Sequence, residues 1–128
     1  MVGESGGEHE SAAITVIVPT YNERDNIAEL VHEIGAALDG RVAEVLFVDD
    51  STDDTIEEIA RVAASASLPV RGIHRDHNDG GLGGDVALGL REATHDVCIV
   101  MDGDLQHPPA LLPELVARYE RGGADVVA

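Results

Sequence analysis

Val97-Cys98-Ile99-Val100-Met101-Asp102-Gly103-Asp104-Leu105-Gln106-His107-Pro108-Pro109 is the stretch on which the fold turns. Its first five residues are an unbroken apolar run, the pattern of a strand buried on both faces. The run stops at two carboxylates separated by one glycine. Alternate residues of an extended chain point the same way, so Asp102 and Asp104 aim at one place, joined by Gln106 if the chain stays extended. Hard oxygen ligands at the open end of a strand suit Mg²⁺ or Mn²⁺. Pro108 and Pro109 then end the strand and fit the first turn of a helix. Alone, the pair reads equally well as a solvated acidic turn.

Three earlier units repeat the scheme. Ile14–Val18 is a β-branched run, closed by Pro19 and followed by Thr20-Tyr21-Asn22-Glu23. A helix follows, with Asn22 as N-cap, Asp25 in its first turn and Ile27, Leu30, Val31, Ile34 and Leu38 on one face; Gly40 stops it. Val45–Val48 is a second strand, ending in Asp49-Asp50-Ser51-Thr52-Asp53-Asp54. Thr52 or Asp53 caps the next helix, whose inner face is Ile56, Ile59, Ala60 and Ala63, with Val62 at its edge. A weaker third strand, Val70 to Arg75, leads into Asp79-Gly80-Gly81-Leu82-Gly83-Gly84. This glycine-rich stretch reads as a loop, either approaching a ligand closely or merely connecting, ahead of a short helix with Val86, Ala87, Leu88 and Leu90.

After the opening motif, a helix from Pro109 to about Arg121 becomes regular near Leu112, with Leu111, Leu112, Leu115, Val116 and Tyr119 inward. Gly122-Gly123 ends it, and Ala124–Ala128 starts a fifth apolar strand inside which the sequence stops. Residues 1–12, rich in Gly, Glu and Ser, read as a flexible acidic tail; residues 13–128 form one α/β unit. Alternation of strand and helix predicts a mainly parallel sheet with right-handed crossovers and helices on both faces. Ligands of such sheets bind beyond the carboxyl ends of the strands. Tyr21-Asn22-Glu23, Asp49-Asp50, the glycines and Asp102-Gly103-Asp104 all follow strand ends.

Composition narrows the chemistry. The formal net charge is −17 and all eight basic residues are Arg. Such acidity argues against a nucleic-acid backbone or an anionic lipid surface as partner. A bound divalent cation would reverse the local charge, so a nucleotide ligand remains compatible. Without Lys there is no Walker A loop. Cys98 is the one cysteine, a small core hydrophobe consistent with a reducing compartment. No apolar run reaches transmembrane length.

Together, Val18-Pro19-Thr20-Tyr21-Asn22-Glu23, Val48–Thr55, Gly81-Leu82-Gly83-Gly84 and Asp102–Pro109 resemble the family 2 glycosyltransferases of the GT-A (Rossmann-like) fold. The last two segments are similar to the dolichol-phosphate mannosyltransferase and polyprenyl-phosphate glycosyltransferase branch. The resemblance spans Ile14 to Ala128. It implies a nucleotide-diphosphate-sugar donor of GDP-mannose or UDP-glucose type, and a polyprenyl (dolichyl-type) phosphate acceptor. Asp102 and Asp104 match the family's metal-holding, catalytic aspartate pair, and Gln106 a further metal ligand, the metal being Mg²⁺ or Mn²⁺. Pro19, Tyr21 and Glu23 match the loop that packs on the nucleoside, and Asp50 the residue that reads the base. Arg75 stands where a base- or phosphate-contacting Arg is common, and Gly83 and Gly84 match the loop beside the donor sugar. Asp85 departs from the pattern, where a small apolar residue is usual. The family's acceptor-side residues would follow Ala128, so the resemblance implies the donor-binding part of an enzyme truncated in or after its fifth strand. Its expected place is the cytoplasm, or the cytoplasmic membrane face in a longer protein.

The resemblance further implies a single inverting displacement. A phosphate monoester, largely ionised near neutral pH with a second pKa of about 6, is a nucleophile that needs little help from a base. The sequence accordingly shows no obvious His–carboxylate base pair. His107 reads as a metal or phosphate contact or a helix-entry residue, and His74 and His77 as pocket-lining or solvated. Asp49 is a second donor contact or a tie to the neighbouring loop. A phosphatase with an aspartate nucleophile is the rival enzyme, disfavoured by the motif's place after the fourth strand and by the missing Lys. A nucleotide-sugar-binding module without turnover is the rival outside enzymes.

Overall fold

The computed structural model describes residues 13–76, 80–103, 109–122 and 126–127, with side chains as far as residue 117. The proposed tail, His77, and Asp104 to Pro108 lie outside the described residues. Among the described residues there are five strands, β1 (Ile14–Thr20), β2 (Ala43–Asp49), β3 (Val70–His74), β4 (Val97–Val100) and β5 (Val126–Val127). The helices are α1 (Arg24–Ala37), α2 (Thr55–Ala63), α3 (Gly81–Glu92) and α4 (Leu112–Gly122), the last entered through a 3₁₀ turn at Pro109–Leu111. All strand pairs are parallel and the order is β3-β2-β1-β4-β5. The α/β sheet expected from the alternation is therefore present, with β1 at its centre.

The two faces of β1 explain the layers. Ile14, Val16 and Val18 join Val45 and Phe47 in a core covered by Ile27, Leu30 and Ile34 of α1, Ile59 and Val62 of α2, and Leu112 and Val116 of α4. Ile17, with Val48 and Cys98, faces the other way against Leu88 of α3. At this second face Gly89 meets β1 so closely that a Cβ there would lie 2.5 Å from Cγ2 of Ile17. Helix α3 is thus seated flush on the central strand.

Several boundaries differ from expectation, each for a local reason. Strand β2 extends beyond the apolar Val45–Val48 at both ends because the acidic Glu44 and Asp49 are buried with hydrogen-bond partners. Helix α1 has Glu23 at its N-cap position. Asn22 instead adopts φ 52° and turns its side chain to the β2–α2 loop. Helix α2 points Val62 inward and leaves Ala60 exposed. Leu111 is 49% exposed, since the 3₁₀ turn rotates it away from the α4 face that holds Leu112. The glycine-rich stretch is no loop: Gly81, Gly83 and Gly84 form the first turn of α3, with Gly80 at its N-cap at φ 80°.

The amino-terminal edge of the sheet is fastened by one buried carboxylate. Glu44 Oε2 accepts hydrogen bonds from Thr15 Oγ1 and from the Thr94 amide, both at 2.8 Å, and Oε1 accepts from Arg71 Nε at 3.2 Å. Thr15 Oγ1 in turn accepts the His95 amide at 3.2 Å. Burial would push the Glu44 carboxyl up, but the Thr94 amide, Thr15 and Arg71 outweigh it and hold it at about 2. This knot ties the entry of β4 to β1 and β2, and so sets the height at which β4 delivers Asp102.

Candidate nucleotide site

At the carboxyl edge, register builds the base of the site. Thr20 pairs with Asp49 and Asp49 with His74, so the three stand in one row across β1, β2 and β3. Asp49 is fully buried. Its Oδ1 accepts from Thr20 Oγ1 at 2.7 Å and Ser51 Oγ at 2.5 Å, and its Oδ2 lies 2.9 Å from His74 Nδ1. Of the two roles open to Asp49, the structure shows the tie between loops. It also shows a His–carboxylate pair that the sequence did not reveal. That pair stands at the β3 side of the sheet, away from Asp102, and involves residues 25 positions apart.

Above this row the loops are cross-braced. The Asn22 amide donates to Ser51 Oγ at 2.7 Å, and Asn22 Oδ1 accepts the amides of Thr52 at 2.9 Å and Asp53 at 3.2 Å. Asp53 Oδ1 accepts the Thr55 amide at 3.0 Å, but the N-cap position of α2 is Asp54, which makes no side-chain capping bond, so the cap expected at Thr52 or Asp53 lies outside that position. Glu23 Oε1 accepts the Tyr21 amide at 3.0 Å. A Cβ on Gly103 would lie 3.0 Å from that same Glu23 oxygen and 3.0 Å from Thr20 Cγ2. A side chain there would make Glu23 or Thr20 give way by a few tenths of an ångström, so the β4 exit and the β1–α1 loop are closely packed. Asn26 Nδ2 donates to the Gly103 carbonyl at 3.4 Å.

Between these loops opens a cavity of about 360 Å³, lined by Pro19, Thr20, Tyr21, Glu23, Asp50, Leu82, Asp85, Asp102 and Gly103. Tyr21 and Leu82, 59% and 61% exposed, flank its mouth. Of the expected site residues, Pro19, Tyr21, Glu23, Asp50 and Asp102 are brought together here. Arg75 stands behind Asp50. Gly83 and Gly84 belong to α3, which lines the cavity with Leu82 and Asp85. Leu82 and the bracing residues Asn22 and Asn26 were not singled out as site residues. Nothing in a single sequence marks a small amide or a lone leucine as part of a site.

The inner wall concentrates charge. Arg75 Nε donates to Asp50 Oδ1 at 2.8 Å, and Nη2 donates to Asp50 Oδ2 at 3.0 Å and to the Gly81 carbonyl at 3.2 Å. Arg75 Nη2 also lies 2.8 Å from Asp85 Oδ1. The Arg75 guanidinium holds the Asp50 carboxyl below the ordinary carboxylate range, against the opposing pull of burial. Asp85 moves the other way, pushed up to about 6 chiefly by burial and then by Asp50 beside it.

Asp102 is exposed at the cavity's other end, next to the closely packed Gly103. An exposed carboxylate at a strand end is a suitable hard ligand for Mg²⁺ or Mn²⁺. Among the described residues no three His, Cys, Asp or Glu side chains gather as a metal centre. Asp104, Gln106 and His107 lie outside the described residues.

A parallel sheet with helices on both faces, and with acidic and apolar residues converging on a cavity over its carboxyl edge, defines an α/β protein of GT-A type. Residues 15–128 match Glycosyl transferase family 2, and the chain belongs to that family. It is 43% identical over 109 residues to a dolichol-phosphate mannosyltransferase of Pyrococcus furiosus, covering 85% of this chain and 30% of that protein. It superposes with TM-score 0.66 and 31% identity on a mannosyltransferase from Pyrobaculum calidifontis in complex with GDP-Man and Mn²⁺, over 76% of this chain and 28% of that one. Glucosyl-3-phosphoglycerate synthase from Mycobacterium tuberculosis, in complex with UDP, gives TM-score 0.71 at 27% identity, over 87% and 41%. The chain thus spans about a third of the length of such relatives. Among the described residues no helix is long and apolar enough to cross a membrane.

Proposed function

We propose that residues 13–128 form the donor-binding part of a glycosyltransferase that moves a sugar from a nucleotide diphosphate to a polyprenyl-type phosphate. The observation that carries this is the span of the cavity. It runs across the ends of β2, β1 and β4, with Asp50 at one end and Asp102 at the other. Two strand spacings separate them, roughly 10 Å, which is about the reach from the base of a nucleotide to its diphosphate. Pro19 and Tyr21 stand where the nucleoside between those ends would pack. GDP-Man and Mn²⁺ in one structural relative, and the dolichol phosphate named for one sequence relative, support the donor and acceptor classes.

Asp102, with Asp104 and Gln106 following it in sequence, would hold Mg²⁺ or Mn²⁺ at the diphosphate end. A divalent ion there supplies Lewis-acid stabilisation of charge on the departing diphosphate. Asp50 and its Arg75 brace orient the base, and Glu23 holds the Tyr21 backbone in place against the nucleoside. The acceptor phosphate oxygen forms the new bond to the anomeric carbon as the bond to the diphosphate breaks, giving inversion. The acceptor is already an anion, so His74, far from Asp102, has no proton to take. Such an enzyme would work at the cytoplasmic face of a membrane, where a lipid phosphate is met.

Titration calorimetry with GDP and UDP, with and without Mn²⁺, tests the reading. Binding of at least one nucleotide should strengthen tenfold or more with metal, and Asp102→Ala should abolish that gain. Nucleotide binding indifferent to both metal and Asp102 would remove the metal-site assignment.

A further inference from the structure

His74 does not line the cavity, yet one buried carboxylate connects it to the cavity wall. Asp49 is fully buried, and a carboxylate accepts hydrogen bonds without donating any. A buried charge of this kind is tolerable only when donors surround it. Oδ1 has two, the hydroxyls of Thr20 at 2.7 Å and Ser51 at 2.5 Å. Oδ2 has one among the described residues, His74 Nδ1 at 2.9 Å. The carboxylate selects the tautomer with its proton on Nδ1, and a protonated ring keeps that same N–H. Nε2 then faces the exposed Asp76 at 3.7 Å. Register brings the pair together, since Asp49 and His74 stand opposite each other where β2 and β3 end.

We propose that His74 is a positioning residue for the nucleotide, acting through Asp49 to hold the β1–α1 and β2–α2 loops in the arrangement that binds. This rests on the nucleotide-donor reading above and adds to it a residue that does not touch the ligand. Thr20 lines the cavity together with Tyr21 and Glu23, which follow it in the β1–α1 loop. Ser51 Oγ, while donating to Asp49, accepts the Asn22 amide at 2.7 Å. The Asp50 amide donates to the Thr20 carbonyl at 3.0 Å. Without the His74 donor, Oδ2 becomes a buried acceptor with nothing to satisfy it, which is costly. Turning the carboxylate towards water relieves that cost, and Thr20 and Ser51 then lose the acceptor that aligns them. The two loops would order only as the ligand arrives, and affinity would fall by the cost of ordering them.

The test replaces His74 in the chain as it stands. Asn places an amide N–H near the position of Nδ1, Gln places one near that of Nε2, and Ala offers none. Calorimetry with GDP and UDP in the presence of Mn²⁺ reads the affinity of whichever nucleotide binds more tightly. His74→Ala should weaken that affinity about fivefold or more, and His74→Asn should stay within about twofold of wild type. Hydrogen exchange at the Asn22 amide should quicken about tenfold in His74→Ala and not in His74→Asn, while the amides of β1 follow only the global stability. That local readout separates a positioned loop from a weakened domain. Where His74→Ala does not fold, His74→Gln takes its place, and it should bind more weakly than His74→Asn by about threefold or more. Unchanged affinity in His74→Ala, failure of Asn to restore it, Asn22 exchange that moves only with global stability, or, in the Gln arm, affinity equal to that of His74→Asn would overturn the proposal. A wild type that binds neither nucleotide would overturn the nucleotide reading itself, and Asn22 exchange would still decide whether His74 holds the loop.

Discussion

Replacing Glu44 by Gln probes how the two edges of the sheet are linked. Gln has the same size and keeps one acceptor, so it imitates the neutral form of a side chain that is 5% exposed. The carboxyl falls from its ordinary 4.5 to about 2 on folding. At about 1.4 kcal/mol per tenfold change in proton affinity, the ionised group contributes about 3 kcal/mol at pH 7. The folded-state value is depressed, so this contribution is complete well above 4.5 and is lost as pH falls towards 2. Urea denaturation of wild type and Glu44→Gln should therefore differ by about 3 kcal/mol at pH 7, shrinking to about 1 kcal/mol at pH 3. Taking the difference between the two proteins removes the titration of the other carboxylates. A gap that stays constant from pH 7 to pH 3, or is under about 1 kcal/mol at pH 7, would refute the claim that Glu44 is a charged knot rather than a solvated end.

Gly89→Ala should destabilise by about 1–3 kcal/mol in the same assay, since the new methyl must displace Ile17 at the centre of the sheet, despite the gain in helix propensity. Asn22→Ala removes the acceptor for two amides and places a Cβ-bearing residue without a local hydrogen bond at φ 52°. It should cost about 1–2 kcal/mol and weaken nucleotide binding. Asn22→Gly, which keeps the backbone relaxed, should recover part of the stability but not the binding.

What could be read in advance follows from where the information lies. Runs such as Ile14–Val18 and Val97–Met101 announce themselves because a strand buried on both faces has no polar residue to interrupt it. The strand-end motifs could be aligned to one edge because parallel topology leaves them no other place. Glu44 could not be recognised as buried, because its partners Thr15, Arg71 and Thr94 come from three other segments. The Asp49–His74 pair depends likewise on β2 lying beside β3 in a particular register. The glycines of α3 were misread for an energetic reason. Their helix propensity is poor, and the turn is held from outside by Arg75 on the Gly81 carbonyl and by the flush seat of Gly89 on β1. Asp85 stood out only as a departure from a familiar pattern. Its meaning came from its neighbours Asp50 and Arg75.

The row of Thr20, Asp49 and His74, with the Asn22 brace above it, bears on the entropy of association. Segments emerging from separate strands are ordinarily free to fluctuate on their own and must be frozen when a ligand arrives. Here Thr20, Ser51 and His74 converge on one buried carboxylate, so the β1, β2 and β3 exits are ordered when the domain folds. Among the described residues at these exits, configurational freedom lost on binding then falls on exposed side chains such as Tyr21.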